Sequence, residues 1–281
     1  MYKIVEKGIL NEQVKRMVIE APAIAKKAEP GQFIILRVFD GGERIPLTIA
    51  DYNRDAGTVT IIFQEVGKTT KLLGTLNEGD SILDFVGPLG LASHLEQYKK
   101  VAVIGGGLGT AIAYPQAKKL HSLGAEVHSI IGFRNKELVI LEDEVKKVSD
   151  EVYVMTDDGS NGNKGFVTDQ LKEMIEQGNN YDLVIAIGPL IMMKFVAALT
   201  RPYNIKTIVS MNPVMIDGTG MCGGCRLTVG GQTKFACVDG PDFDGHLVDF
   251  DEAMRRQMMY KEQESHSQKE HACRIGGAQN A

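Results

Sequence analysis

A glycine-rich turn between an apolar strand and a helix constrains the fold of this chain more than any other feature. Residues 101–105 form a continuous apolar run, the turn reads Gly-Gly-Gly-Leu-Gly from Gly105 to Gly109, and a helical pattern continues to about Leu123. Continuous apolar strands are typical of parallel sheets that are covered on both faces. Glycines at such a corner let a phosphate group approach the backbone, although a tight corner also needs glycine for packing alone.

The residues after this turn alternate between apolar strands and helical patterns. This alternation predicts βαβ units in a doubly wound, Rossmann-like α/β domain, which we place at residues 98–211. The predicted strands are 126–133, 151–157, 183–188 and 207–211, and the predicted helices are 142–148, 167–176 and 193–199.

The first 97 residues show a different pattern of short strands separated by turn residues. Turn signals such as Pro30-Gly31 and Gly41-Gly42 divide them. Short strands at this spacing predict a small antiparallel β-barrel over residues 1–97. The six predicted strands are 3–9, 14–20, 32–39, 45–52, 59–65 and 81–86.

A second glycine turn begins at Gly188 and should face the same crevice as the first, because ligands bind beyond the carboxyl ends of parallel strands. Carboxylates after the third strand could bond ribose hydroxyls and would repel a 2′-phosphate, whereas Arg134 and Lys136 could accept one. We therefore expect NAD(H) rather than NADP(H). Its predicted contacts are Gly105, Gly106, Gly107, Gly109, Thr110, Asp157, Asp158, Gly188 and Met192.

Three of the four cysteines lie in one short segment with the spacing Asp217-x4-Cys222-x2-Cys225-x11-Cys237. Plant-type [2Fe–2S] sites have the spacing C-x4-C-x2-C with a distant fourth cysteine. The sequence thus predicts a [2Fe–2S] cluster with an aspartate as its first ligand. We place the cluster segment at 212–250 and a polar C-terminal tail at 251–281.

Other chemistries remain open for these cysteines. With Cys273 they could form a four-thiolate zinc site, which would make the chain a zinc-stabilised nucleotide-binding module. Cys222 and Cys225 could also form a redox dithiol, but that leaves Cys237 without a role. Asp217 alone could be an ordinary turn residue.

Charge and hydropathy exclude two classes of partner. A net charge of −5 leaves no excess of basic residues to neutralise nucleic-acid phosphates. No apolar run reaches the roughly 18 residues of a membrane span, and the N-terminus has no signal-peptide core. We expect a cytoplasmic protein that binds neither nucleic acid nor membrane.

The segment from Arg44 to Ile49 resembles the Arg-x-Tyr-Ser flavin signature of the ferredoxin–NADP reductase superfamily, with Leu47 in the usual place of the tyrosine. Residues 66–70 resemble its second flavin segment, and 87–90 follow in the family's order. The resemblance implies that Arg44 holds the FAD pyrophosphate and Thr48 approaches flavin N5. The implied FAD contacts are Arg44, Pro46, Leu47, Thr48, Gly67, Thr69 and Thr70.

Within the superfamily, the chain resembles the group of electron-transfer subunits of class 1B dihydroorotate dehydrogenase and small subunits of NADH-dependent ferredoxin:NADP oxidoreductase. Asp217 and the long chain beyond Cys237 favour the second. The resemblance implies electron transfer between NAD(H), FAD and a [2Fe–2S] cluster, without a catalytic acid–base pair. It further implies a heterodimer with a larger flavin and iron–sulfur subunit that binds NADP(H) and ferredoxin and performs electron bifurcation. Electron transfer in dihydroorotate oxidation is the alternative.

Overall fold

The computed structural model describes residues 1–266, so Cys273 and its candidate zinc role lie outside the described residues. The strands are β1 Tyr2–Ile9, β2 Val14–Glu20, β3 Phe33–Arg37, β4 Arg44–Asn53, β5 Thr58–Gln64, β6 Ser81–Ile82, β7 Asp84–Leu89, β8 Lys100–Gly106, β9 Glu126–Phe133, β10 Glu151–Thr156, β11 Leu183–Ile187, β12 Thr207–Ser210, β13 Arg226–Val229, β14 Gln232–Phe235 and β15 Asp242–Asp244. The helices are α1 Pro22–Ala25, α2 Lys68–Thr75, α3 Gly109–Ser122, α4 Glu142–Lys146, α5 Val167–Glu176, α6 Leu190–Thr200, α7 Ala236–Asp239 and α8 Phe250–Gln257.

The N-terminal strands form one antiparallel sheet in the order β6-β1-β2-β5-β4-β3-β7, which curls into a nearly closed barrel. Alternating residues point into its core, where Met17, Phe63 and Phe85 are fully buried. The predicted barrel is confirmed. The run predicted as one strand at 81–86 is divided between β6 and β7, which lie at opposite edges of the sheet.

The second sheet has the order β10-β9-β8-β11-β12-β15, and its pairs from β10 to β12 are parallel. The strand order reverses between β8 and β11, and doubly wound sheets bind ligands beyond the carboxyl ends of strands at such a point. The predicted α/β domain is therefore confirmed, and its switch point lies beside the glycine turn after β8.

The C-terminal segment is integrated into the rest of the molecule. A hairpin of β13 and β14 turns through Gly230 and Gly231, and β15 then pairs antiparallel with β12 at the edge of the α/β sheet. Helix α8 packs beside α6. Among the helices of residues 1–266, none combines the length and apolar character needed to cross a membrane.

Candidate functional site

The outer face of β4 carries the residues of the first flavin segment. Arg44, Pro46 and Thr48 alternate along one face of the strand, whereas Leu47 packs against the barrel core. Arg44 and Thr48 are thus separated by about 13 Å along the strand. Arg44 is exposed and has no ion-pair partner within residues 1–266, so its guanidinium is free to bind an anion.

Helix α2 begins beside this face. The Thr70 hydroxyl accepts a hydrogen bond from the Gly67 N–H (3.0 Å) and caps the helix. The Thr69 hydroxyl donates to the carboxylate of Glu43, the neighbour of Arg44. The two predicted flavin segments therefore meet, and they combine a free guanidinium with the N-terminus of a helix. This arrangement fits a pyrophosphate group.

The two glycine turns of the α/β domain face each other across neighbouring strands. A β-carbon on Gly188 would lie 3.0 Å from the Gly106 Cα, and one on Gly106 would lie 2.5 Å from the Met192 Sδ. Gly109 has a packing role as well, since its β-carbon would lie 2.2 Å from the Ile187 carbonyl oxygen. Gly107, in contrast, has a φ of +55° and open space where a side chain would be.

A cavity of about 950 Å³ opens at these turns. Gly106, Gly107 and Met192 line it from the α/β domain, and Asn11 and Gln64 line it from the barrel. The hydroxyl of Thr110, fully buried at the start of α3, has no hydrogen-bond partner among the described residues. That hydroxyl lies against Gly105 rather than in the cavity, since a β-carbon on Gly105 would lie 2.8 Å from the Thr110 Oγ1. The glycine turn and the N-terminus of α3, which border the cavity, fit the pyrophosphate of a dinucleotide.

The two aspartates after β10 differ in their surroundings. Asp157 is exposed and lines the cavity together with Arg134. The Asp158 carboxylate accepts a hydrogen bond from the Ser160 N–H at 2.9 Å and shapes the turn. Hydrogen bonds from Ser160 hold the pKa of Asp158 below its usual value. Asp157 is thus the carboxylate that is free to meet a ligand in the cavity.

The cysteine segment brings two of its thiols together. The Sγ atoms of Cys225 and Cys237 lie 3.3 Å apart and are buried, whereas Cys222 is exposed. Burial, followed by the hydrogen bond that the Cys237 thiol shares with Cys225, raises the pKa of Cys237 to about 12. A metal ion would reverse this effect, because metals bind the deprotonated thiolate. The close pair is thus Cys225 with Cys237, not the Cys222–Cys225 pair that a redox dithiol needs.

Asp217 organises the loop that leads to Cys222. Its carboxylate accepts hydrogen bonds from the N–H groups of Thr219 and Cys222, both at 3.0 Å. The bond from Thr219 is the main cause of a lowered pKa for Asp217. Within residues 1–266, no group of three or more histidine, cysteine or acidic side chains is assembled as a metal site. The donor set still fits an iron–sulfur cluster, since binding itself gathers such ligands.

The cysteine segment also touches the strand next to β4. A β-carbon on Gly218 would lie 2.9 Å from a side-chain carbon of Ile35 on β3 and 3.0 Å from one of Leu89 on β7. Strand β3 pairs directly with β4, where Phe33 is opposite Thr48. One strand thus separates the Asp217–Cys222 loop from the flavin face.

Sequence reasoning missed Glu43 at the flavin face and Asn11, Gln13 and Gln64 on the barrel side of the cavity. Glu43 directly precedes Arg44 in the sequence. Its position next to the predicted anion-binding arginine could have identified it as part of the same site. Asn11 and Gln13 lie in the turn between β1 and β2, and Gln64 ends β5, so these polar residues are far apart in the sequence and give no local signal.

Comparisons with known proteins agree with this geometry. Residues 212–249 match the iron–sulfur cluster binding domain of dihydroorotate dehydrogenase B. The chain is 47% identical to an electron-transfer subunit homologue of dihydroorotate dehydrogenase B from Thermotoga maritima, over 93% of this chain and 92% of that protein. It is 34% identical to the electron-transfer subunit from Fusobacterium nucleatum, over 80% of this chain and 89% of that one.

A solved structure is also similar over nearly the whole chain. It comes from a study of flavin-based electron bifurcation by an NADH-dependent reduced ferredoxin–NADP oxidoreductase. It is 45% identical, with a TM-score of 0.91, and covers 97% of this chain and 98% of that one. The predicted cofactors FAD, [2Fe–2S] and NAD(H) are confirmed at the level of the family. The chain therefore belongs to the family of dihydroorotate dehydrogenase B electron-transfer subunits and their homologues, which are flavin and iron–sulfur oxidoreductase subunits.

Proposed function

We propose that this chain is the electron-transfer subunit of an electron-bifurcating NADH-dependent ferredoxin:NADP⁺ oxidoreductase. The contact of Gly218 with Ile35 carries the proposal, because it sets the iron–sulfur segment one strand away from the flavin face. The similarity to the bifurcating oxidoreductase at 45% identity supports the same assignment.

The residues of each site have distinct tasks in this proposal. Arg44, the N-terminus of α2 and the Thr69 hydroxyl hold the FAD pyrophosphate, and Thr48 lies at the isoalloxazine end. Gly106, Gly107 and the N-terminus of α3 hold the dinucleotide pyrophosphate, while Asp157 bonds the ribose and disfavours a 2′-phosphate. The remaining predicted contacts are Pro46, Leu47, Gly67, Thr70, Gly105, Gly109, Thr110, Asp158, Gly188 and Met192.

Asp217, Cys222, Cys225 and Cys237 are the proposed cluster ligands. FAD held at the β4 face would supply the link between the two-electron chemistry of NAD(H) and the one-electron chemistry of an iron–sulfur cluster. The chain's part is to place the nicotinamide cavity, the β4 face and the cysteine loop side by side. Cys222 and its neighbour Met221, which is 89% exposed, put the cluster loop at the surface.

The proposed partner is a larger flavin and iron–sulfur subunit that binds NADP(H) and ferredoxin. The names of the relatives support a partner in general, since an electron-transfer subunit serves a larger complex. We place the complex in the cytoplasm. Cysteines that are gathered in one short segment, rather than spread along the chain as a disulfide framework, support a reducing compartment.

Dihydroorotate oxidation is the second candidate, and the match of residues 212–249 to the dihydroorotate dehydrogenase B cluster domain favours it. Co-expression with the neighbouring gene product and anaerobic purification should separate the two. The proposal expects a one-to-one complex that reduces NADP⁺ with NADH and reduced ferredoxin together, and not with NADH alone. Orotate-linked NADH oxidation by that complex, or full activity of the isolated chain, would contradict it.

A further inference from the structure

A buried polar cluster lies where the barrel, the α/β domain and the cysteine segment meet. It consists of Asp242 on β15, Ser93 in the chain after β7, and Gln116 on α3. The Asp242 Oδ2 accepts a hydrogen bond from the Ser93 hydroxyl at 2.5 Å and one from the Gln116 Nε2 at 3.2 Å. These three residues are separate from the predicted contacts of FAD, the dinucleotide and the cluster.

Two oxygen atoms of this cluster are buried without a partner among residues 1–266. They are the Oδ1 of Asp242 and the Oε1 of Gln116. An ionised carboxylate and an amide oxygen are both acceptors only, so neither can satisfy the other. A buried polar atom without a hydrogen bond is strongly disfavoured.

One proton on Oδ1 of Asp242 would satisfy both atoms. The observed bond from Nε2 of Gln116 to Oδ2 sets the amide beside the carboxyl, and a protonated Oδ1 would donate to Oε1 of Gln116. Acid and amide would then form a reciprocal pair with two hydrogen bonds. We propose that Asp242 carries this proton at neutral pH and, paired with Gln116, acts as a positioning residue that holds the three parts of the molecule in one arrangement.

The surroundings of Asp242 are consistent with a neutral carboxyl. Burial raises its pKa, and the polar groups of Ser93, Ser210 and Gln116 near the carboxyl oppose this only in part. Across the described part of the chain, no charged side chain is found to act on the Asp242 carboxyl. Titratable groups on the neighbouring elements are Glu29, His94, Glu96, Tyr114, Lys118, Lys119, His121, Asp239 and Asp244. Glu29 pairs with Arg54, and Lys118 pairs with Asp51.

The position of the pair explains why it would matter for electron transfer. Asp242 lies five residues beyond Cys237, and between them the Gly240 carbonyl accepts a hydrogen bond from the Leu91 N–H at 2.7 Å. Residues 240–242 of the cysteine segment are thus hydrogen-bonded both to the chain after β7 and to α3. Small displacements of reacting groups slow a reaction many-fold. Loss of these hydrogen bonds would therefore slow electron transfer between the flavin and the cluster.

Stability as a function of pH tests the proton directly. The amide of the Asp242→Asn variant would keep both hydrogen bonds to Gln116 at every pH, whereas Asp242→Ala removes them. A carboxyl whose pKa is raised by folding gives full stability below the unfolded value of about 3.9 and loses it as pH rises through the folded value.

Wild-type protein and Asp242→Asn should therefore melt alike near pH 4, and the variant should melt increasingly higher as pH rises. A variant that melts lower than wild type at neutral pH would mean that Asp242 is ionised and would overturn the proposal. This melting experiment does not depend on the proposed function. Infrared spectra add a second measurement: wild type at neutral pH should show the C=O stretch of a protonated acid that is missing in Asp242→Asn, and its absence would overturn the proposal.

The positioning role rests on the proposed function and needs its own measurement. In anaerobic stopped-flow experiments, cluster reduction by NADH should slow about tenfold in Asp242→Ala and stay near wild type in Asp242→Asn at neutral pH. The wild-type rate should fall at alkaline pH while that of Asp242→Asn does not. Ser93→Ala removes a donor to the carboxylate, so it should move this transition to higher pH. Parallel pH profiles for wild type and Asp242→Asn would overturn the role.

Discussion

Gly218 packs so closely against Ile35 that a β-carbon at position 218 would lie 2.9 Å from the Ile35 side chain. This contact joins the loop of the proposed cluster ligands to the strand that pairs with the flavin strand. Gly218 also has a φ of +75°, a conformation that favours glycine. The iron–sulfur segment can therefore approach the barrel only because this position has no side chain.

Substitution of Gly218 by alanine tests the importance of this contact. Gly231 is a matched control, because its φ is also +75° but no atom lies within 4 Å of its β-carbon position. Both variants lose about 1 kcal/mol to the backbone conformation. Gly218→Ala should lose a further 1–3 kcal/mol, roughly, because the β-carbon overpacks against Ile35 and Leu89. Thermal melting and iron and sulfide content measure this; equal losses in the two variants would refute the close approach.

The Thr69 hydroxyl should contribute directly to FAD binding. The Thr69 hydroxyl has one proton, so on FAD binding it would turn from Glu43 to the pyrophosphate. Thr69→Val removes this donor and should weaken FAD binding about tenfold, in the range of a hydrogen bond to a charged group. Thr75→Val provides the control, since the Thr75 hydroxyl donates to the Leu72 carbonyl oxygen within the same helix. Flavin fluorescence titration gives both affinities. Equal FAD affinities would remove Thr69 from the site.

Glu43 should have the opposite effect on FAD. Its carboxylate accepts the hydrogen bond from Thr69 beside Arg44 and adds negative charge where the pyrophosphate would bind. Glu43→Gln should therefore tighten FAD binding, roughly three- to tenfold at low salt. The gain should shrink as salt is added, because exposed charges are screened. Weaker FAD binding by the variant would show that Glu43 supports the site instead.

Asp157 should determine the preference for NADH over NADPH. Asp157→Asn removes a charge that lines the cavity, so the ratio of kcat/KM for NADH to that for NADPH should fall about tenfold. Asp158→Asn should change this ratio less and reduce stability more, because the Asp158 carboxylate holds the turn through Ser160. A larger change of cofactor preference in Asp158→Asn would reverse the two roles.

Elements with strong periodicity were predictable from the sequence. Helix α5 has the predicted bounds because its apolar residues recur at helical spacing. Strand β9 also has the predicted bounds, since it is an uninterrupted and almost wholly buried run of strand length. The predicted helix at 193–199 is longer in the structure, where α6 begins at Leu190 directly after Pro189. Proline just before or within the first turn is a known start signal, and it marks the true beginning of this helix.

The cysteine segment shows why the remaining structure was harder to predict. The hairpin of β13 and β14 was missed although Gly230 and Gly231 both have positive φ, the pattern that a two-residue hairpin turn requires. Strand β15 has only three residues and forms because β12 offers an open edge. The pairing of Asp242 with Gln116 joins residues 126 positions apart, and no local pattern encodes such a contact.

The most direct test of the account is the addition of NADH to anaerobically purified protein, followed by electron paramagnetic resonance and visible absorbance. We expect loss of flavin absorbance together with the signal of a reduced [2Fe–2S] cluster, and a changed signal in both Asp217→Cys and Asp217→Ala. A reduced flavin without any cluster signal would contradict the proposed electron path. A cluster signal that is identical in wild type and both variants would remove Asp217 from the ligands.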